Sequence, residues 1–236
     1  MKVNILTSIA VRSCALIIIL AAACHAQDAK TAYPIMAPIE QYLMADRNAE
    51  IALARSAGPD SVSGDAEVLV LGLHGYETAV KGKNGFVCVV ERGWTAGADD
   101  PDFWNPKLHG PLCLNPQAAR SYLPITIKKT ELVLAGKSKA QMVDGINAAF
   151  DKKELPTLEP GAMCYMLSKD GYLGDGNGHW RPHVMFFVPI SDAQTWGANL
   201  HGSPILASDD PQDRLTIFMI PVAKWSDGTA DSPDAH

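Results

Sequence analysis

Residues 67–92, EVLVLGLHGYETAVKGKNGFVCVVER, alternate between runs rich in Val and Leu and glycine-marked turns. That is the signature of short strands. Glu67 to Leu73 is too short for a core helix and has glycine within it, so it reads as a strand. Tyr76 to Lys81 and Phe86 to Arg92 flank Gly82-Lys-Asn-Gly85, and the Asn-Gly pair in that linker predicts a hairpin joining them. Phe86 to Val90 is apolar at both odd and even positions. Such a strand is interior, with material packed on both faces of its sheet.

Upstream, Ile35, Ile39, Tyr42, Ala49 and Leu53 recur at helical steps, which predicts a helix over 36–57. Gly58-Pro59 stops it, and Asp60 to Asp65 follows as a polar connector. Downstream, Gly93 to Asn115 is a long stretch broken by glycine and proline that carries Trp94, Phe103 and Trp104. Loops of this length are functional, or are excursions packed by their own side chains. Pro116 to Leu134 reads as helix in part, with a break near Pro124. Ser138-Lys-Ala-Gln141 is a capping box, and Met142, Val143, Ile146, Ala149 and Phe150 mark one face of the helix it opens.

Strands return at Ala162 to Ser168, His183 to Val188 and Leu215 to Val222, with a short helix over Ser191 to Gly197. Elements come in blocks and not in strict alternation. The expected fold is therefore α+β, a mostly antiparallel sheet with helices packed on it, in a single domain over 35–225. Polar residues 226–236 are expected to be a disordered tail.

The first 26 residues read as a secretory signal. Lys2 and Arg12 precede an apolar run, Ala15 to Ala23, that is too short to span a bilayer. Cys24-His25-Ala26 offers a cleavage site after Ala26, leaving 27–34 as a flexible lead-in; a lipid anchor at Cys24 is the alternative. Export makes the expected setting secreted or periplasmic. Losing Lys2 and Arg12 takes the formal charge from −6 to −8. No basic cluster remains to track phosphates, so neither nucleic acid nor an anionic membrane surface is an expected partner. Three cysteines remain, and an oxidising compartment favours one disulfide. Cys88 and Cys113 are the expected pair, with Cys164 a buried strand cysteine.

The candidate functional residues gather at predicted strand ends. Trp94, Trp104, His109, Trp180, Arg181 and His183 would form a ligand site where the 93–115 loop and the glycine-rich loop Lys169 to Gly178 meet the sheet. That second loop fits neither a phosphate cradle, since it leads into a strand, nor a calcium loop, since His179 breaks the oxygen pattern. His74, Glu77, His179, His183 and His201 supply enough nitrogen and oxygen for zinc if they converge. Glu77 or Glu91 would then be the general base. Arg181, held between Trp180 and Pro182, is expected to pair with Glu91. The leading expectation is an exported protein that binds a small ligand or a protein partner. The alternatives are a metal-assisted hydrolase and a structural envelope protein.

Overall fold

The computed structural model describes residues 32–175 and 180–232. The expected signal peptide with Cys24, most of the expected 27–34 lead-in, His179 and the last four residues lie outside the described residues. Eight strands form one sheet: β1 Glu67–Gly72, β2 Gly75–Val80, β3 Val87–Glu91, β4 Gly110–Leu114, β5 Met163–Met166, β6 His183–Pro189, β7 Leu206–Asp210 and β8 Leu215–Pro221. Their order is β2-β1-β3-β4-β5-β6-β8-β7. Every neighbouring pair is antiparallel except β1 and β3. The α-helices among the described residues are α1 Arg47–Arg55, α2 Asp60–Ser63, α3 Pro116–Ser121, α4 Leu123–Leu134 and α5 Lys139–Asp151. This is a single-domain α+β fold with a mostly antiparallel sheet.

The two faces of β3 lie in different cores. Val89 joins Leu112, Leu114, Ile146 and Phe187 beneath α3 to α5, whereas Cys88 and Val90 join Ala54, Ala57, Val68 and Val70 beneath α1. Its apolar character at every position follows from this double burial. Cys88 lies directly opposite Cys113 in the β3–β4 ladder, and the two form a disulfide buried on the α1 face. Cys164 is free and buried on the opposite face. A disulfide of this kind persists in an oxidising compartment. No helix among the described residues is long and apolar enough to cross a membrane.

The hairpin expected between residues 76–81 and 86–92 does not form. β1 lies between β2 and β3, and the hairpin is β1–β2, closed by Leu73 and His74 with Gly72 opposite Gly75. Gly75 takes φ 118°, a conformation open to glycine and strained for other residues. The Gly82–Gly85 segment instead crosses the start of β1, where Lys83 N–H donates to Asp65 O at 2.8 Å. A Cβ on Gly82 would stand 2.2 Å from Glu67 N, so the glycine is there for close backbone approach. An Asn-Gly signal predicts a turn but says nothing about which strands become neighbours.

The helix expected over 36–57 is confined to α1, after a 3-10 turn at Ile39–Gln41. Asp46 starts α1 by accepting the Asn48 N–H at 2.8 Å. Tyr42 is buried before it, donating from its hydroxyl to Trp104 O. α2 occupies the expected polar connector. The break near Pro124 falls at Tyr122, between α3 and α4, and the capping box of Ser138 and Gln141 is present in both directions. The polar tail is ordered through residue 232: Lys224 bridges Ala230, and Asp227 pairs with Lys169.

Candidate functional site

Strand alternation places Glu91, Gly110, Met166, His183, Met185, Ile217 and Met219 on the face shared with α3 to α5. Helices α3 and α4 pack against β2, β4 and β5, and Tyr122 stacks on Phe187 of β6 at 3.9 Å between centroids. Beyond that stack, a cavity of about 900 Å³ opens over the sheet. Met166, Met185, Ile217 and Met219 make an apolar floor, while residues 95–101 and the turn 208–213 make the walls. The size and the apolar floor beneath polar walls suit a small-molecule site.

A buried ionic cluster closes one side. Glu91, 9% exposed, accepts from Thr126 Oγ1 at 2.6 Å and from Thr95 Oγ1 at 3.2 Å. Lys129, 1% exposed, donates from Nζ to Asp213 Oδ2 at 2.7 Å and to Thr95 O at 2.9 Å. Asp213 is 4% exposed, and its Oδ1 has no hydrogen-bond partner. Two carboxylates therefore share the neighbourhood of one ammonium. Burial raises the pKa of Glu91, against the pull of the Thr126 hydrogen bond and of Lys129. It also raises Asp213 to about 6, with Lys129 opposing. Burying two carboxyl groups beside a single ammonium drives both shifts.

Of the residues singled out in sequence for ligand binding, His183 lines the cavity. Its Nδ1 lies 2.7 Å from Arg181 O, and burial lowers its pKa, which favours a neutral ring. Trp94 and Trp104 are core residues, packed with Tyr42, Leu71 and Phe103 beneath the long loop. They anchor that loop and are not walls of the cavity. His109 is half-buried, bridges Tyr172 through its backbone and is held down to about 4 by burial. Trp180 packs edge-on against His183 and Trp225, outside the lining. Arg181 is paired with Asp231 at 3.7 Å and not with Glu91, which α4 and Thr95 already satisfy. An exposed Arg at the start of β6 meets the returning C-terminal segment first.

Of the proposed zinc set, His179 lies outside the described residues and the other four do not come together. Among the described residues, no three His, Cys, Asp or Glu side chains are placed to hold a metal ion. His74 is exposed in the β1–β2 turn, Glu77 pairs with Arg47 on the surface, His201 is exposed before β7, and His183 faces the cavity.

Lys129, Thr126, Thr95 and Asp213 were not signalled as site residues. Lys129 had a legible signal: with Ile125 and Val133 it sits at i, i+4 and i+8 of α4, the buried phase of that helix. Asp213, in an acidic turn, had none. Comparison with known proteins found no matching family model, no matching curated sequence and no matching solved structure.

Proposed function

We propose that the protein is exported and binds a small molecule in the cleft over β6 and β8. The observation that carries this is the 900 Å³ cavity itself, with an apolar floor of three methionines and an isoleucine beside a buried ionic wall. Methionine is unbranched and polarisable, so such a floor adapts to ligand shape. The apolar segment at 15–23 and the buried Cys88–Cys113 disulfide support export.

The test uses the neutral fluorophore N-phenyl-1-naphthylamine. Its emission should rise saturably on titration with the protein, and Met219→Trp, which fills the floor, should weaken binding at least about tenfold, ~1.4 kcal/mol. Binding unchanged by Met219→Trp, or no binding at all, contradicts the reading.

A further inference from the structure

The cavity walls are electrostatically one-sided. Glu91, Asp99, Asp100, Asp209, Asp210 and Asp213 line it, and among the described residues no Lys or Arg does. Two lysines beside the wall are already engaged: Lys129 on Asp213 and Thr95 O, Lys139 on Asp100 O and over the Phe103 ring. His183 adds no charge while its ring is neutral.

The carboxylates are also held by separate donors. Asp209 accepts from Thr216 Oγ1 at 2.6 Å, Asp210 from Asp213 N at 3.0 Å, and Glu91 from Thr126 and Thr95. Side chains tied to different partners around a rim do not gather on one point, which agrees with the lack of a metal-holding group among the described residues. What such a rim does provide is a negative field focused over a low-dielectric floor. The second observation is Asp213 itself. It is more than nine-tenths buried, it lines the cavity, and Oδ1 lacks the donor that a buried carboxylate oxygen requires.

We infer that the ligand of this cleft is an organic ammonium ion, a protonated amine whose apolar body lies on Met166, Met185, Ile217 and Met219 and whose N–H donors Asp213 receives. This rests on the cleft being a ligand site, and it goes further by assigning the head group. Methionine sulfurs suit the body of such a ligand, and charge-assisted donation to a carboxylate suits the head. An anionic ligand of the same shape would meet six carboxylates, and a neutral alcohol would offer them a single uncharged O–H donor.

The probes are octylamine, octanol and octanoate, which share a chain and differ in head group. Titrated calorimetrically against the folded protein at pH 8, octylamine should bind at least about tenfold more tightly than either of the others, ~1.4 kcal/mol. Asp213→Asn should remove most of that advantage. Because the variant strands Lys129 and can fail to fold, the wild type at pH 5 supplies a second measurement. Asp213 faces Glu91 from β3, Lys129 from α4 and Asp210 from β7, with His183 across the cavity on β6. Octylamine stays protonated at pH 5, whereas Asp213, raised to about 6, takes up a proton, so the preference over octanol should shrink to less than about threefold. Equal binding of octanol or octanoate at pH 8, or a preference that persists at pH 5, overturns the inference, while the naphthylamine probe still binding would leave the cleft as a ligand site. Failure of the naphthylamine probe and of all three alkyl ligands overturns both.

Discussion

Arg92 is a fully buried guanidinium, and its partners show what holds residues 42–50 to the sheet. Its Nε donates to Tyr42 O at 2.8 Å, Nη1 to Val90 O at 2.5 Å and Nη2 to Glu50 Oε1 at 2.9 Å, with Arg92 fully buried. Glu50 Oε1 also accepts from Leu71 N at 3.1 Å, so one carboxylate links α1, β1 and the end of β3. Breaking a buried pair from one side leaves a charge stranded in low dielectric. Glu50→Ala should therefore lower stability by about 3–5 kcal/mol in urea unfolding. The double variant Glu50→Leu/Arg92→Met should recover most of that loss, because an apolar pair of similar volume removes both desolvation costs. A loss below about 1 kcal/mol for Glu50→Ala would mean that the pair is solvated. At this scale the sequence marks Glu91-Arg92 as notable but cannot say that the two side chains part company. Their opposite directions follow from strand alternation, Glu91 toward α4 and the cavity, Arg92 toward α1. Their partners, Thr126, Lys129 and Asp213 on one side and Glu50 on the other, come from segments remote in sequence.

Elements were more legible than their neighbours. The capping box of α5, the interior character of β3 and the break before α4 are all local physics, and all are visible in residue pattern. β4 was hidden by Pro111. The structure tolerates that proline because residues 111, 113 and 115 direct their N–H positions to the β5 side, where β5 reaches only Cys113 and Leu114. Asn115 N–H uses that side, donating to Met163 O at 3.0 Å, and Pro111 has no strand there to donate to. β7 was hidden because an Asp-rich edge strand carries no apolar alternation. The β1-β2-β3 connection is the topological error, and Gly82 tests the correction. In a simple hairpin, Gly82→Ala would be a mild change. In the observed crossover its Cβ collides with the backbone of Ala66 and Glu67, so the variant should lose about 1–3 kcal/mol or more in urea unfolding. Wild-type stability for Gly82→Ala would argue against a crossover at that point.

For the molecule as a whole, the helices cover one half of the sheet face and leave the other half to a cleft. α3 and α4 reach β2, β4 and β5, and the Tyr122–Phe187 stack marks where coverage stops. The long loop, anchored by buried Trp94, Phe103 and Trp104, then serves as one wall, and the β7–β8 turn as the other. The aromatic residues that mark this loop in the sequence therefore hold the wall from behind, and the ligand-facing floor is made of methionines that look like ordinary strand residues. The central claim is that this floor is a binding surface. Its most direct test is a two-dimensional NMR spectrum of protein labelled with carbon-13 at the methionine methyl groups, titrated with N-phenyl-1-naphthylamine. The methyl signals of Met166, Met185 and Met219 should shift together and saturably, while that of Met142, buried in the core beneath the long loop, should stay in place. Unmoved signals from the three floor methionines at probe concentrations that shift others would contradict the account.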